Sequence, residues 1–160
     1  MKPKPHILPV IILSQFACTS LWFAGNAIVD ALALKTGLGS EIIGYVLSSV
    51  QFGFITGTLV FALLMIADRF PPSLVFMVCA VFAAACNFVL LAEEISKWTL
   101  LSARFGTGFF LAGIYPVGMK IAADYYEKGL GKALGFLVGA LVFGTALPYL
   151  VSGTEFGSHP

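Results

Sequence analysis

Leu100–Lys132 reads LLSARFGTGFFLAGIYPVGMKIAADYYEKGLGK, and in it a single guanidinium, Arg104, stands among apolar residues and glycines. A charged side chain at bilayer depth costs roughly 2.5–3.5 kcal/mol on insertion scales, so it is kept where it faces a protein interior, a partner or a watery cavity. Arg104 is therefore the first candidate functional residue. Around it Gly106, Gly108 and Gly113 let helix backbones approach closely, and Pro116 removes a main-chain N–H, which predicts a kink about one turn before the inner end of this helix. Lys120 and Asp124 lie four apart at that end, where a surface ion pair contributes little.

The surrounding composition says what kind of protein holds this stretch. The 160 residues are 59% hydrophobic and 11% charged, with a mean hydropathy of +0.95; a usual globular domain is about 25% charged. This is the composition of a membrane protein. A net charge of +1 without a long basic run gives no ground for a nucleic-acid partner. Cys18, Cys79 and Cys86 all fall in apolar runs and read as packed thiols rather than disulfides or ligands. The only histidines are His6 and His159, and there is no CxxC, HExxH or carboxylate pair inside an apolar run. The sequence thus offers no catalytic residue, metal site or cofactor, and an enzyme is the least favoured class.

Five apolar runs recur: Ile7–Ala33, Ile42–Ala67, Ser73–Ala92, Trp98–Ala123 and Ala133–Ser152. Each reaches the roughly 20 residues that an α-helix needs to cross the hydrocarbon. The first is too long for the apolar region of a secretory signal. Short connections between them imply antiparallel neighbours, so the expected fold is an all-α polytopic membrane bundle over 7–152, preceded by residues 1–6 and followed by a polar tail, 153–160. Counting basic residues in the loops puts Lys2, Lys4, Arg69, Lys120, Lys128 and Lys132 on one side against Lys35 and Lys97 on the other. By the positive-inside rule the N-terminus is expected in the cytoplasm, in a plasma (inner) membrane.

Gln15, Thr19, Trp22, Asn26 and Asp30 follow one another at helical spacing, which keeps them near one face of the first helix. That face either packs on another helix through hydrogen bonds or lines a pathway. In the second helix Ser49, Gly53 and Gly57 recur every four residues, a close-packing signature, while Tyr45 and Gln51 are polar groups that can face a cavity. The turn ADRFPPS, 67–73, carries Asp68 and Arg69 before Pro71 and Pro72, which forbid helix continuation. The third helix reads as peripheral. In the fifth, Gly135, Gly139 and Gly144 form a second close-packing face.

Together these features resemble the N-terminal part of a major facilitator superfamily transporter. Asp68 and Arg69 are similar to the family's cytoplasmic loop motif, GxLaDrxGrkxxl, although Leu64 replaces its first glycine and Pro71 and Pro72 replace a glycine and a basic residue. Leu100, Arg104 and Gly108 match the spacing LxxxRxxxG of its fourth helix. The fifth helix resembles the family's glycine-rich antiporter helix at Gly135 and Gly139 only, since Ala140, Val142 and Phe143 depart from it, and proton-coupled antiport is not implied. The resemblance implies a twelve-helix protein of two halves with a midplane solute site and alternating access. Of this, 160 residues supply about five helices, so the expectation is a fragment, inactive alone, whose full-length parent moves a small solute through the lipid bilayer. Arg104 would pair with Asp30 or another acidic group, or with an anionic solute; Asn26 and Gln51 would line the path; Asp68 and Arg69 would form a conformational loop. The competing class is a small helical membrane protein that works by association, with Gly53, Gly57, Gly135 and Gly139 as contacts in a homo-oligomer.

Overall fold

The computed structural model describes residues 6–27, 41–92, 95–126 and 129–152. Among them the chain forms α1 (Ile7–Ala27), α2 (Glu41–Leu63), a short α3 (Ile66–Arg69), α4 (Pro72–Phe88) with a 3₁₀ turn at Val89–Leu91, α5 (Lys97–Leu111), α6 (Tyr115–Tyr125) and α7 (Leu130–Ser152). No strand occurs among the described residues. Four stretches are long and apolar enough to cross a membrane: Ile7–Gly25, Glu41–Leu63, Pro72–Leu91 and Lys97–Tyr125, the last combining α5 and α6. α7 runs 23 residues. The protein is a polytopic all-α membrane protein.

Local chemistry explains the helix boundaries. Pro72 opens α4 at a position where the missing N–H would have had no helical partner. Ser96 caps α5, its Oγ accepting from Thr99 N at 3.2 Å, as N-cap hydroxyls do. The second span does not run unbroken to Ala67. It stops at Leu63, and Met65 takes the left-handed conformation with φ 51°, so that the amides of Asp68 and Arg69 both turn back to the Met65 carbonyl at 3.0 Å. Span four also differs from a helix kinked near its end. It breaks at Ala112–Ile114, and 11 residues of α6 follow, about three turns. Pro116 is the second residue of α6, and without an N–H it cannot donate to Ala112, four residues back.

Packing is arranged in three apolar clusters along the bundle. At the Trp98 end, Ile42 and Val46 meet Leu90, Leu100 and Ala103. In the middle, Val75, Cys79 and Ala83 of α4 meet Leu111, Ile114 and Val117 around the break. At the Asp68 end, Ile11, Ala122 and Leu137 join α1, α6 and α7. α2 lies along α5, α1 along α7, and α4 against α5 and α6. Large apolar side chains cover the outside, Phe88 at 74% and Phe143 at 71% exposure, while Gln15, Thr19, Arg104 and Thr107 are buried. In water that distribution would be costly; in lipid the polar groups belong inside, where helices can satisfy one another.

The contact of α2 with α5 depends on glycine. A Cβ at Gly53 would lie 2.1 Å from the Phe105 carbonyl oxygen, one at Gly57 2.4 Å from that of Phe109, and one at Gly108 1.9 Å from that of Val50. The two backbones are therefore in direct contact, and Ser49 Oγ adds a bond to the Leu101 carbonyl at 2.7 Å. Gly135 and Gly139, at the same spacing, have open space where a Cβ would stand.

Candidate functional site

The site is built on the buried face of α5, where Leu100, Ala103, Arg104, Thr107, Gly108 and Leu111 all point inward. Arg104 is fully enclosed, at 0% exposure. Its Nη2 donates to the main-chain oxygen of Trp22 at 2.8 Å, tying α5 to α1. Gly25 makes this possible: a Cβ there would stand 2.1 Å from Nη1 and 2.6 Å from Cζ, so the guanidinium rests on bare backbone. The Trp22 ring, in turn, meets Phe54 of α2 edge-on, with centroids 5.4 Å apart at 75°. Three helices thus fix the plane and depth of one cation.

One turn along α5, Thr107 Oγ1 donates to the Ala103 carbonyl at 2.9 Å and accepts from Asn87 Nδ2 at 3.1 Å. The Asn87 amide also reaches the Ala83 carbonyl at 3.2 Å, so α4, expected to be peripheral, contributes a polar tie to α5 one turn from Arg104. On α1, Gln15 is at 0% exposure and lies against Gly118 of α6, its Oε1 2.3 Å from where a Cβ would be. Thr19 Oγ1 bonds the Gln15 carbonyl at 2.8 Å and faces Gly144 of α7.

At the opposite end of span four, Lys120 of α6 donates to the Ala67 carbonyl at 2.8 Å and pairs with the Asp68 carboxylate. Lys120 thus engages the turn between spans two and three, 52 positions away in sequence, in place of an ion pair with Asp124. Arg69 is exposed. The short helix α3 thus presents a main-chain carbonyl and a carboxylate to one ammonium.

The residues singled out in the sequence do not all converge. Gln51 is exposed on α2, off the buried line Ile42, Val46, Val50, Gly53 and Gly57, and is not brought to Arg104. Asn26 belongs to the last turn of α1, but its side chain, like the whole of Asp30 and hence the Asp30–Arg104 pairing, lies outside the described residues. Gly25, Asn87 and Thr107 were not among the expected site residues, and Trp22 was expected only as part of the polar face of α1. Gly25 had a signal, a glycine within a polar-faced helix; the role of the Trp22 carbonyl had none, because main-chain acceptors carry no side-chain identity.

Chemically, a guanidinium stays charged and offers planar, fork-shaped donors. It can hold an anion or a dipole and does not serve as a base. The arrangement is that of a polytopic helical membrane protein carrying a fixed positive charge within its bundle. A family model of the Major Facilitator Superfamily matches residues 10–155, and the chain belongs to that family; its function is of the transporter type. No curated protein and no solved structure matched.

Proposed function

We propose that this chain forms one helical wall of a route by which a small solute crosses the membrane, with Arg104 as the charged anchor for an anionic group of the solute or for an acidic coupling group. The observation that carries the reading is the complete burial of Arg104 against Gly25 and the Trp22 carbonyl. A cation kept at this depth against its desolvation cost is a functional group by default in a membrane protein. Asn26 and Asp30 are proposed as further lining residues, and Asp68 with Arg69 as the loop whose contacts change as access alternates; Gln51, exposed on the outer side of α2, is left out of the path. We place the N-terminus in the cytoplasm and the protein in the plasma membrane, on the asymmetry of loop lysines and arginines and the positive-inside rule.

A second wall is needed for transport. The described residues form open grooves on the outside of the bundle, of about 260 Å³ beside Phe61 and Phe110 and about 400 Å³ beside Phe16 and Gly139, and both have apolar linings. The chain alone is therefore proposed to bind without carrying. The test uses the chain in lipid nanodiscs and in sealed vesicles with a labelled small organic anion such as benzoate. Saturable binding that falls at least tenfold in Arg104→Gln, with no saturable vesicle uptake, is the expected result. Equal binding by Arg104→Gln refutes the anchor role, and saturable uptake by the chain alone refutes the need for a second wall.

The association reading is favoured by one observation, the open face at Gly135 and Gly139; Gly53 and Gly57 are already occupied by α5. A crosslinked homo-oligomer that is lost in Gly139→Leu would support it.

A further inference from the structure

We propose that the carboxamide of Gln15 is a binding site for an O–H group, supplied by an ordered water or by a hydroxyl of the solute in transit. Gln15 is completely buried, and among the described residues neither its Oε1 nor its Nε2 has a hydrogen-bond partner. A buried amide left in that condition is among the most unfavourable features a helix bundle can carry, and such groups in native proteins call for a specific explanation. The amide has both a donor side and an acceptor side. An anion would satisfy only the NH₂, and a cation only the oxygen; an O–H group donates to one and accepts from the other.

The surroundings fit that chemistry. Gln15 packs at Gly118, whose N–H bonds the Ile114 carbonyl at 2.8 Å, so the amide sits one turn from the break in span four. At that break the carbonyls of the buried residues Ala112 and Gly113 accept no backbone hydrogen bond among the described residues; for Ala112 the donor four residues on would be Pro116, which has no N–H to give. Acceptors are thus in excess on span four, and the missing complement is a mobile hydrogen-bond donor that can also accept. Unwound segments of spanning helices are tolerated where they line a cavity or meet a polar guest. Along α1, Gln15 is seven residues before Trp22, about 10 Å at 1.5 Å per residue, so Gln15 and the Arg104 anchor mark two depths of the same helix.

The solute source rests on the transport reading above; the water source stands without it. The chain contains two glutamines, Gln15 and Gln51, and Gln51 is exposed, which gives an internal control. In the full chain, labelled with ¹⁵N-glutamine and held in lipid nanodiscs, the two side-chain NH₂ groups are followed by NMR, and Gln15→Leu assigns them. The expected result is a cross-peak from the Gln15 NH₂ protons to a long-lived water. Titrating glycerol, a plain hydroxyl probe, separates the sources: a saturable shift of the Gln15 signal, with Gln51 unmoved, assigns the site to solute hydroxyls, and an unshifted water cross-peak assigns it to water. Gln15 NH₂ protons that contact only protein groups, with neither a water cross-peak nor a glycerol shift, overturn the proposal. Because no transport is measured, that outcome leaves the Arg104 binding test intact.

Discussion

The glycines of this chain provide a matched comparison, and Gly108→Ala is its sharpest member. A methyl group at Gly108 would lie 1.9 Å from the Val50 carbonyl oxygen, against 3.4 Å for the closest ordinary van der Waals contact, a shortfall of 3.4 − 1.9 = 1.5 Å. The obstacle is backbone in the middle of α2 and cannot rotate aside, so α2 and α5 must separate. A radial gap of 0.5–1 Å already forfeits about a quarter to a half of each dispersion contact across an interface. The separation would also open the cluster of Ile42, Val46, Leu100 and Ala103 and stretch the Ser49–Leu101 bond. Overpacking of this kind costs about 1–3 kcal/mol and occasionally more, and the rigid obstacle places Gly108→Ala at about 3 kcal/mol. Gly139→Ala meets open space and, on helix propensity alone, is neutral or stabilising by up to about 1 kcal/mol. The assay is reversible unfolding in mixed micelles with increasing SDS fraction, followed by far-UV circular dichroism. Equal midpoints for Gly108→Ala and wild type, or a loss in Gly139→Ala as large as in Gly108→Ala, would refute the reasoning.

Four other substitutions test three separate parts of the fold in the same unfolding assay. Met65→Gly relieves a left-handed residue, a conformation that costs roughly 1–2 kcal/mol for a side chain with a Cβ, and is expected to raise the midpoint by up to about 1 kcal/mol; a loss would mean that the Met65 side chain is needed more than its backbone is strained. Lys120→Met removes both the Ala67 and Asp68 bonds, whereas Asp68→Asn removes only the charge of a carboxylate that is 59% exposed. Lys120→Met should therefore cost more, with Asp68→Asn below about 1 kcal/mol; the reverse order contradicts the main-chain bond. Asn87→Leu deletes the tie from α4 to Thr107, while Thr107 keeps its own bond to Ala103, so the loss is expected at about 0.6 kcal/mol, the average for polar ties between membrane helices, and a loss above about 2 kcal/mol would mean that the pair holds more than this one contact.

The architecture was legible because its signals are long: runs of about 20 apolar residues admit few alternatives to spanning helices. Arg104 was legible for a related reason, as a charge has no bland place in such a run. The partner helix of each small-residue stripe was not. The pairs Gly53/Gly57 and Gly135/Gly139 have the same spacing, yet one is pressed against α5 and the other faces open space, because spacing fixes a face without saying what covers it. Spacing offered Lys120 only Asp124, a surface pair of little worth, whereas in the fold it meets a carboxylate and a helix-end carbonyl on a distant turn. The break in span four was placed too near its end, since Pro116 marks where an N–H is missing but the turns that absorb the loss lie on its N-terminal side, at Ala112–Ile114.

How the bundle holds Arg104 bears on why the site takes this form. Against an insertion cost of roughly 2.5–3.5 kcal/mol, a hydrogen bond to a charged donor returns about 1.5–3 kcal/mol, so the Trp22 carbonyl alone comes close to offsetting the burial. That return depends on the guanidinium reaching the backbone of α1, and it reaches because position 25 has no side chain. Gly25 is thus coupled to Arg104 across 79 positions of sequence, and the two should fail together. In Gly25→Ala the charge is displaced while its identity is kept; in Arg104→Gln the charge is removed while the notch is kept. If the anion-binding loss follows from position as much as from charge, both variants lose binding, and combining them adds little to either. Additive losses would mean that Gly25 and Arg104 act on the bound anion separately.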